Sequence, residues 1–320
     1  MPAHRLAILD DYQNVALTLA DWSAITSDVD ITVFNTPLGS RDNIIRILRG
    51  FDMVCLMRER TRFPREIIEA LPDLKLIVTT GMRNASLDVA AAQERGIVVC
   101  GTDGVGQPTV QIAIGLILEL ARHIGYENGR LKAGAPWQST VGTDLEGKTI
   151  GLVGLGRLGA RTAKAAQGLG MKAIAWSQNL TPEKCDAAGV GYATKDELFA
   201  QADVISLHLI LSPRSRGIVG ARELGLMKPT AYIVNTSRGP LIDEAALIDA
   251  LQARNIAGAG LDVFDIEPMP ADHPFRMLDN VVITPHLGYV TKENLGANYR
   301  GVVEDIRAFL DGAPIKLMDA

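Results

Sequence analysis

Lys148-Thr149-Ile150-Gly151-Leu152-Val153-Gly154-Leu155-Gly156-Arg157-Leu158-Gly159 reads as an apolar strand, a glycine turn and the opening of a helix. Gly154 permits the tight turn, Gly156 lets the backbone approach a pyrophosphate, and Gly159 lets the new helix pack closely on the strand. Free N–H groups at the helix start then face an anion. Three glycines alone are a weak signal, and the surroundings strengthen it. The stretch that follows is Ala-rich and helical in pattern, and a second strand, Ala173-Ile174-Ala175-Trp176, closes a βαβ unit of suitable length. The segment predicts dinucleotide binding.

The same alternation extends in both directions. Upstream, short apolar runs begin at Leu6, Ile31, Met53, Leu76 and Ile97, with a helical pattern from Ile44 to Leu48. Downstream, strands are expected at 149–153, 172–176, 203–207, 231–235, 257–262 and 281–284. Strands separated by helices imply parallel sheets with helices on both faces. A long apolar helix is expected over 109–123, and a final helix over Lys292 to Leu310. The chain is therefore read as α/β, with two doubly wound parallel-sheet domains and a cleft between them. Residues 1–102 and 290–320 form one domain and 103–289 the other, because the last helix returns to the first unit. Ligands of such folds sit at the carboxyl ends of strands.

Length and composition agree with two globular domains: 320 residues, 47% hydrophobic and 22% charged. The net charge of −5 and the absence of a dense Lys/Arg run argue against nucleic acid as a partner. Cys55, Cys100 and Cys185 are widely spaced and suggest buried thiols, with neither a disulfide frame nor a metal site. A strand pattern starts almost at once, so no signal peptide is expected. The longest apolar stretch, Ile112 to Leu118, is too short to span a bilayer, and a cytoplasmic protein is expected.

Three segments place a reactive side chain just beyond a predicted strand. They are Val234-Asn235-Thr236-Ser237-Arg238-Gly239-Pro240, Gly260-Leu261-Asp262 running on to Glu267-Pro268, and Thr284-Pro285-His286-Leu287-Gly288. Each has a plain alternative. Arg238 can pair with Asp243 or Glu244, Glu267 can be a turn residue, and His286 can be structural. His208 is read as structural, and His123 and His273 as surface residues.

In order and spacing, the glycine fingerprint, SRGxxxDExAL, GAGLDVFxxEP and TPHxG resemble the D-isomer-specific 2-hydroxyacid dehydrogenases, from about Leu76 to Gly288. The resemblance implies a Rossmann-type cofactor domain beside a flavodoxin-like substrate domain. It also implies hydride transfer between a nicotinamide cofactor and a small 2-oxo or 2-hydroxy acid. Arg238 matches the arginine that holds the substrate carboxylate, and His286 the acid–base histidine. Glu267 matches the carboxylate that pairs with that histidine and favours imidazolium. Asp262 matches the residue holding the nicotinamide carboxamide. Gly154, Gly156, Arg157, Leu158, Gly159, Ser177 and Thr236 match cofactor-binding positions. Arg58, Met82, Arg83 and Asn84 match the substrate side, which hinge closure would bring over the substrate. Relatives are usually homodimers; the 109–123 helix and the Trp137 loop are candidate contacts. The motifs end close to the end of the sequence, so no C-terminal regulatory domain is expected. Two alternatives stay open within the fold: an NAD(H)-binding corepressor scaffold, and a dehydrogenase of formate or phosphite.

The chain departs from the family pattern twice. Where an acid usually follows the second cofactor-domain strand, it reads Trp176-Ser177-Gln178-Asn179. NAD is expected because no cation follows immediately, Lys184 being the nearest downstream; NADP is left open. In the first domain the usual GxGxDNxD loop reads Gly81-Met82-Arg83-Asn84-Ala85-Ser86-Leu87-Asp88. Arg83 then either adds charge at the pocket, suiting a dianionic substrate, or turns to solvent.

Overall fold

The computed structural model describes residues 2–106 and 108–319. Five strands, β1 (His4–Ile8), β2 (Val29–Val33), β3 (Met53–Leu56), β4 (Leu76–Thr79) and β5 (Val98–Gly101), form a parallel sheet in the order β2-β1-β3-β4-β5. The two strands β3 and β4 are buried at every position, as expected for apolar runs covered on both faces. Helix Lys292–Leu310 packs on this sheet with Leu295, Tyr299, Val302 and Ile306 turned inward. Its start is capped by Thr291, whose side chain accepts from the Asn294 N–H. Beyond the helix, Gly101 N donates to Lys316 O and Met318 N to Val99 O, so the chain's own last residues cover the β5 edge.

Seven further strands, β6 (Thr149–Val153), β7 (Lys172–Trp176), β8 (Gly191–Tyr192), β9 (Val204–Leu207), β10 (Tyr232–Asn235), β11 (Gly258–Leu261) and β12 (Val281–Ile283), form a second parallel sheet. Its order is β12-β11-β10-β9-β6-β7-β8, which reverses direction at β6. The break between β6 and β9 is the topological switch point, where such sheets place their ligand. Helix Arg157–Gln167 buries Gly159, Thr162, Ala163 and Ala166, a face small enough for close packing. Contacts divide the chain into Met1–Gly106 with Val290–Ala320, and Gln107–Tyr289.

Two elements differ from the sequence reading. The long helix runs Pro108–Arg122 and buries Ala113, Leu116, Ile117, Leu120 and Ala121, a single apolar stripe. It stops because His123 takes a left-handed φ of 53°. A second helix, Ile124–Lys132, follows with no buried residue, which is why hydrophobic periodicity missed it. The Glu119 carboxylate caps it by accepting from Gly125 N and Tyr126 N. Strand β8 is two exposed residues at the sheet edge and carries no apolar signal. Among the described residues no helix is long and apolar enough to cross a membrane.

Candidate active site

In the second unit the residues assigned from the sequence to the cofactor and the catalytic set lie on segments that follow the carboxyl end of a strand. Gly154 follows β6 with φ 105°, a conformation that favours glycine, and a Cβ there would lie 2.8 Å from His208 O. Gly159 sits so close to the turn that a Cβ would come 2.1 Å from Gly154 O. Gly156 is the N-cap of helix Arg157–Gln167 and faces open space, with Arg157 exposed beside it and Leu158 half-buried. Thr236, past β10, is buried, and its Oγ1 has no hydrogen-bond partner among the described residues. An open helix N-terminus, a forced glycine turn and an orphaned hydroxyl at a switch point fit a dinucleotide.

Past β12, His286 takes φ 53° and its Nδ1 lies 2.6 Å from Glu267 Oε2, while Glu267 Oε1 accepts from Phe264 N at 2.9 Å. Both side chains keep partial exposure, 22% for His286 and 29% for Glu267. Glu267 is therefore more than a turn residue. Asp262 is fully buried and clamps the same loop. Its Oδ1 accepts from Thr284 Oγ1 (2.6 Å) and Leu287 N (2.7 Å), and its Oδ2 from Gly288 N (2.8 Å). Burial pushes the Asp262 carboxyl above its usual range, opposed by these donors.

Arg238 leaves β10 in an extended conformation, and Asn235 Nδ2 donates to its carbonyl at 2.8 Å. The next residue must be glycine, because a Cβ on Gly239 would lie 2.2 Å from the Phe264 carbonyl carbon. The carboxylates offered as alternative partners are engaged elsewhere. Asp243 caps helix Glu244–Gln252, and Glu244 lies 3.1 Å from His273 Nε2. His273 is thus not the surface residue that its isolation in sequence suggested. Its side chain is 11% exposed, and its ring centroid lies 4.9 Å from that of Phe275. His208 is held through Nε2 by Ser206 Oγ at 2.9 Å, and burial pushes its pKa down to about 4, so it is neutral and structural.

In the first unit Arg58 follows β3 with φ 53° and lies against Gly81, its NH1 3.3 Å from Thr80 O. Met82 and Arg83 are exposed, whereas Asn84 is 7% exposed and turned inward. Asn84 Nδ2 donates to Arg58 O (2.7 Å) and Thr79 Oγ1 (2.9 Å), and its Oδ1 accepts from Ser86 N. Its amide is spent on holding the Arg58 backbone. The turn is anchored from the other side, where Gly81 N donates to Thr102 Oγ1 and Thr102 Oγ1 to Asn298 Oδ1 on the last helix. Sequence reasoning missed Asn298 and Thr102, which carry no motif. In the same unit Asp10, Tyr12, Thr61 and Arg60 form a further cluster: Tyr12 and Thr61 donate to the Asp10 carboxylate, and Arg60 to its carbonyl.

A glycine-turn sheet of this order with an Arg, a His–Glu pair and an Asp at its strand ends defines a dinucleotide-dependent oxidoreductase, and the comparisons agree. The profile of the D-isomer specific 2-hydroxyacid dehydrogenase NAD binding domain matches residues 114–288. The chain is 34% identical to hydroxypyruvate reductase of Blautia hydrogenotrophica, over 93% of this chain and 95% of that protein. It is 38% identical to D-3-phosphoglycerate dehydrogenase of Methanocaldococcus jannaschii over 85% of this chain, yet spans only 52% of that longer protein. A crystal structure of phosphoglycerate oxidoreductase from Vibrio cholerae superposes with a TM-score of 0.92 at 36% identity, covering 97% of this chain and 100% of that one. The chain belongs to the D-isomer specific 2-hydroxyacid dehydrogenase family and carries its NAD-binding domain.

Proposed function

We propose that this chain interconverts a small D-2-hydroxy acid and its 2-oxo acid, with His286 as proton carrier, Glu267 as its partner and Arg238 as the substrate anchor. The observation that carries the reading is the 2.6 Å contact between His286 Nδ1 and Glu267 Oε2. When bound, the nicotinamide dinucleotide supplies or accepts the hydride at C2 of the acid. With Nδ1–H donating to Glu267, Nε2 is the nitrogen left to exchange a proton with the C2 oxygen. It gives that proton in reduction and takes it back in oxidation, while the carboxylate stabilises the imidazolium. The planar guanidinium of Arg238 suits a carboxylate and an adjacent oxo group. Asp262 holds the loop that carries His286, and its Oδ2, with one protein donor, keeps a lone pair for a carboxamide.

On the substrate side, Arg58, Met82 and Arg83 are assigned to contact, and Asn84 to positioning Arg58. Arg83, exposed on its turn, is the group for a second negative charge on the substrate. Ile124 (58%), Tyr126 (56%), Trp137 (69%) and Val141 (94%) are exposed apolar residues in one stretch of the second unit, which supports a homodimer. Three free, buried cysteines and the net charge support a cytoplasmic enzyme with no nucleic-acid partner.

The test is absorbance at 340 nm with each nicotinamide dinucleotide against glyoxylate, hydroxypyruvate, pyruvate, an aromatic 2-oxo acid and 3-phosphohydroxypyruvate. Turnover of at least one is expected, with His286→Gln lowering kcat by about 10²–10⁴ while nucleotide affinity holds. Wild-type kcat in that variant removes His286 from the chemistry. Tight nucleotide binding with no turnover of any acid favours a scaffold. Sedimentation velocity checks the dimer: a monomer at micromolar concentration refutes it.

A further inference from the structure

The strand β7 ends at Trp176, and its tip is Ser177, half-buried, followed by the exposed Gln178 and Asn179. In a sheet of this order that tip faces the adenosine ribose, where a carboxylate would accept from the 2′-hydroxyl and repel a 2′-phosphate. This tip has none, and the fold brings the backbone of a cationic residue to it. Gln178 Nε2 donates to the carbonyl of Arg214 at 3.4 Å, across 36 residues of sequence. Arg214 lies on the loop that follows β9, the strand on the far side of β6 from β7.

That loop is tied down from within. Ser215 is 7% exposed; its Oγ accepts from Ser212 N at 2.8 Å and donates to Ile210 O at 2.7 Å. Arg214 itself is exposed. Among the described residues no ion pair of Arg214 is seen, whereas Arg222 and Lys195 are both paired. Arg222 pairs with Asp196 and Glu223. Lys195 pairs with Glu223 at 2.9 Å while lying 5.6 Å over the Trp176 ring. A fixed turn, an uncommitted guanidinium and two neutral hydrogen-bonding side chains make a site for a phosphate monoester.

We propose that Arg214, with Ser177 and Gln178, forms a 2′-phosphate subsite, so that the enzyme prefers NADP(H) to NAD(H). The proposal rests on the dinucleotide reading of this unit and adds the cofactor's identity to it. Position in the sequence hides Arg214, since the nearest cation after the strand is Lys184.

The test is calorimetric binding of adenosine 2′,5′-bisphosphate and of 5′-AMP to the purified full chain, which needs no turnover. The bisphosphate is expected to bind about 10–100-fold more tightly, an advantage that shrinks as salt is raised. Arg214→Ala should remove about tenfold of that advantage and leave 5′-AMP unchanged. Arg214→Glu should abolish it, and kcat/KM for NADPH over NADH should fall in parallel. Equal binding of the two nucleotides by the wild-type chain would overturn the subsite while leaving the dinucleotide reading intact. So would an Arg214→Ala variant that keeps the full difference. Binding of neither nucleotide would overturn both.

Discussion

Asp305 is fully buried on helix Lys292–Leu310, and neither carboxylate oxygen has a hydrogen-bond partner among the described residues. Its nearest cation, Lys316 Nζ, is 3.9 Å away and is already bonded to Glu304 at 2.9 Å. Burial pushes its pKa from 3.8 up to about 7, with Lys316 opposing and Glu304 and Asp103 adding to the rise. The folded value lies above the unfolded one. The folded protein therefore keeps a proton that the unfolded chain releases, and stability falls as pH rises from 3.8 to 7. At about 1.4 kcal/mol per pH unit the full loss is ~4 kcal/mol, of which ~3 kcal/mol accrues above pH 5. Asp305→Asn fixes the neutral form in nearly the same shape. Any packing cost of the amide is common to both pH values and cancels in their difference. Urea unfolding read through Trp22, which packs 6.3 Å from Tyr299 on the same helix, should show the variant gaining ~3 kcal/mol more over wild type at pH 8 than at pH 5. Trp137 and Trp176 are replaced by Phe in both chains to isolate that signal. Equal gains at the two pH values would refute the reasoning, because they would mean that Asp305 is already ionised in the folded protein at pH 5.

Gly159→Ala places a Cβ 2.1 Å from Gly154 O, a backbone atom that cannot swing aside. It should cost about 1–3 kcal/mol of stability and weaken NADPH binding at least tenfold, read by thermal unfolding and fluorescence titration. Asn84→Ala removes the donors to Arg58 O and Thr79 Oγ1 without touching the second unit. KM for the 2-oxo acid should rise about tenfold with nucleotide affinity unchanged, and an unchanged KM would detach Asn84 from Arg58. Glu267→Gln exchanges a charge-assisted bond for a neutral one. It should lower kcat by about 10–100-fold without moving nucleotide affinity; full activity would remove Glu267 from the mechanism.

The parts of the fold that could be read from sequence were those set by local physics. The turn at Gly154 depends on a left-handed backbone and on the close approach of Gly159 to the Gly154 carbonyl, so it announces itself in twelve consecutive residues, although the His208 carbonyl that walls Gly154 is distant in sequence. Strands β3 and β4 announce themselves because apolar side chains fill every position. Helix Ile124–Lys132 buries nothing, and Asn84 does its work through a carbonyl 26 residues away; neither leaves a local pattern. His273 looked isolated for the same reason, since its partner Glu244 is 29 residues distant. Arg238, Glu267 and His286 were legible only as an ordered set, because each residue type alone has a structural explanation at least as common.

What joins that set is backbone as much as side chain. Gly239 brings the Arg238 turn against Phe264, and the Phe264 N–H in turn donates to Glu267. Glu267 fixes one nitrogen of His286, and Asp262 fixes the loop on which His286 stands. Three strand ends, those of β10, β11 and β12, are thereby locked to one another by contacts that bear no direct relation to substrate. Catalytic groups must be held to within a fraction of an ångström of their productive positions, and loops alone rarely achieve this. On the proposed reading, glycine at 239 and a buried aspartate at 262 are therefore part of the scaffold of the site. They hold the reactive groups in register before any substrate arrives, so binding energy need not be spent on assembling them.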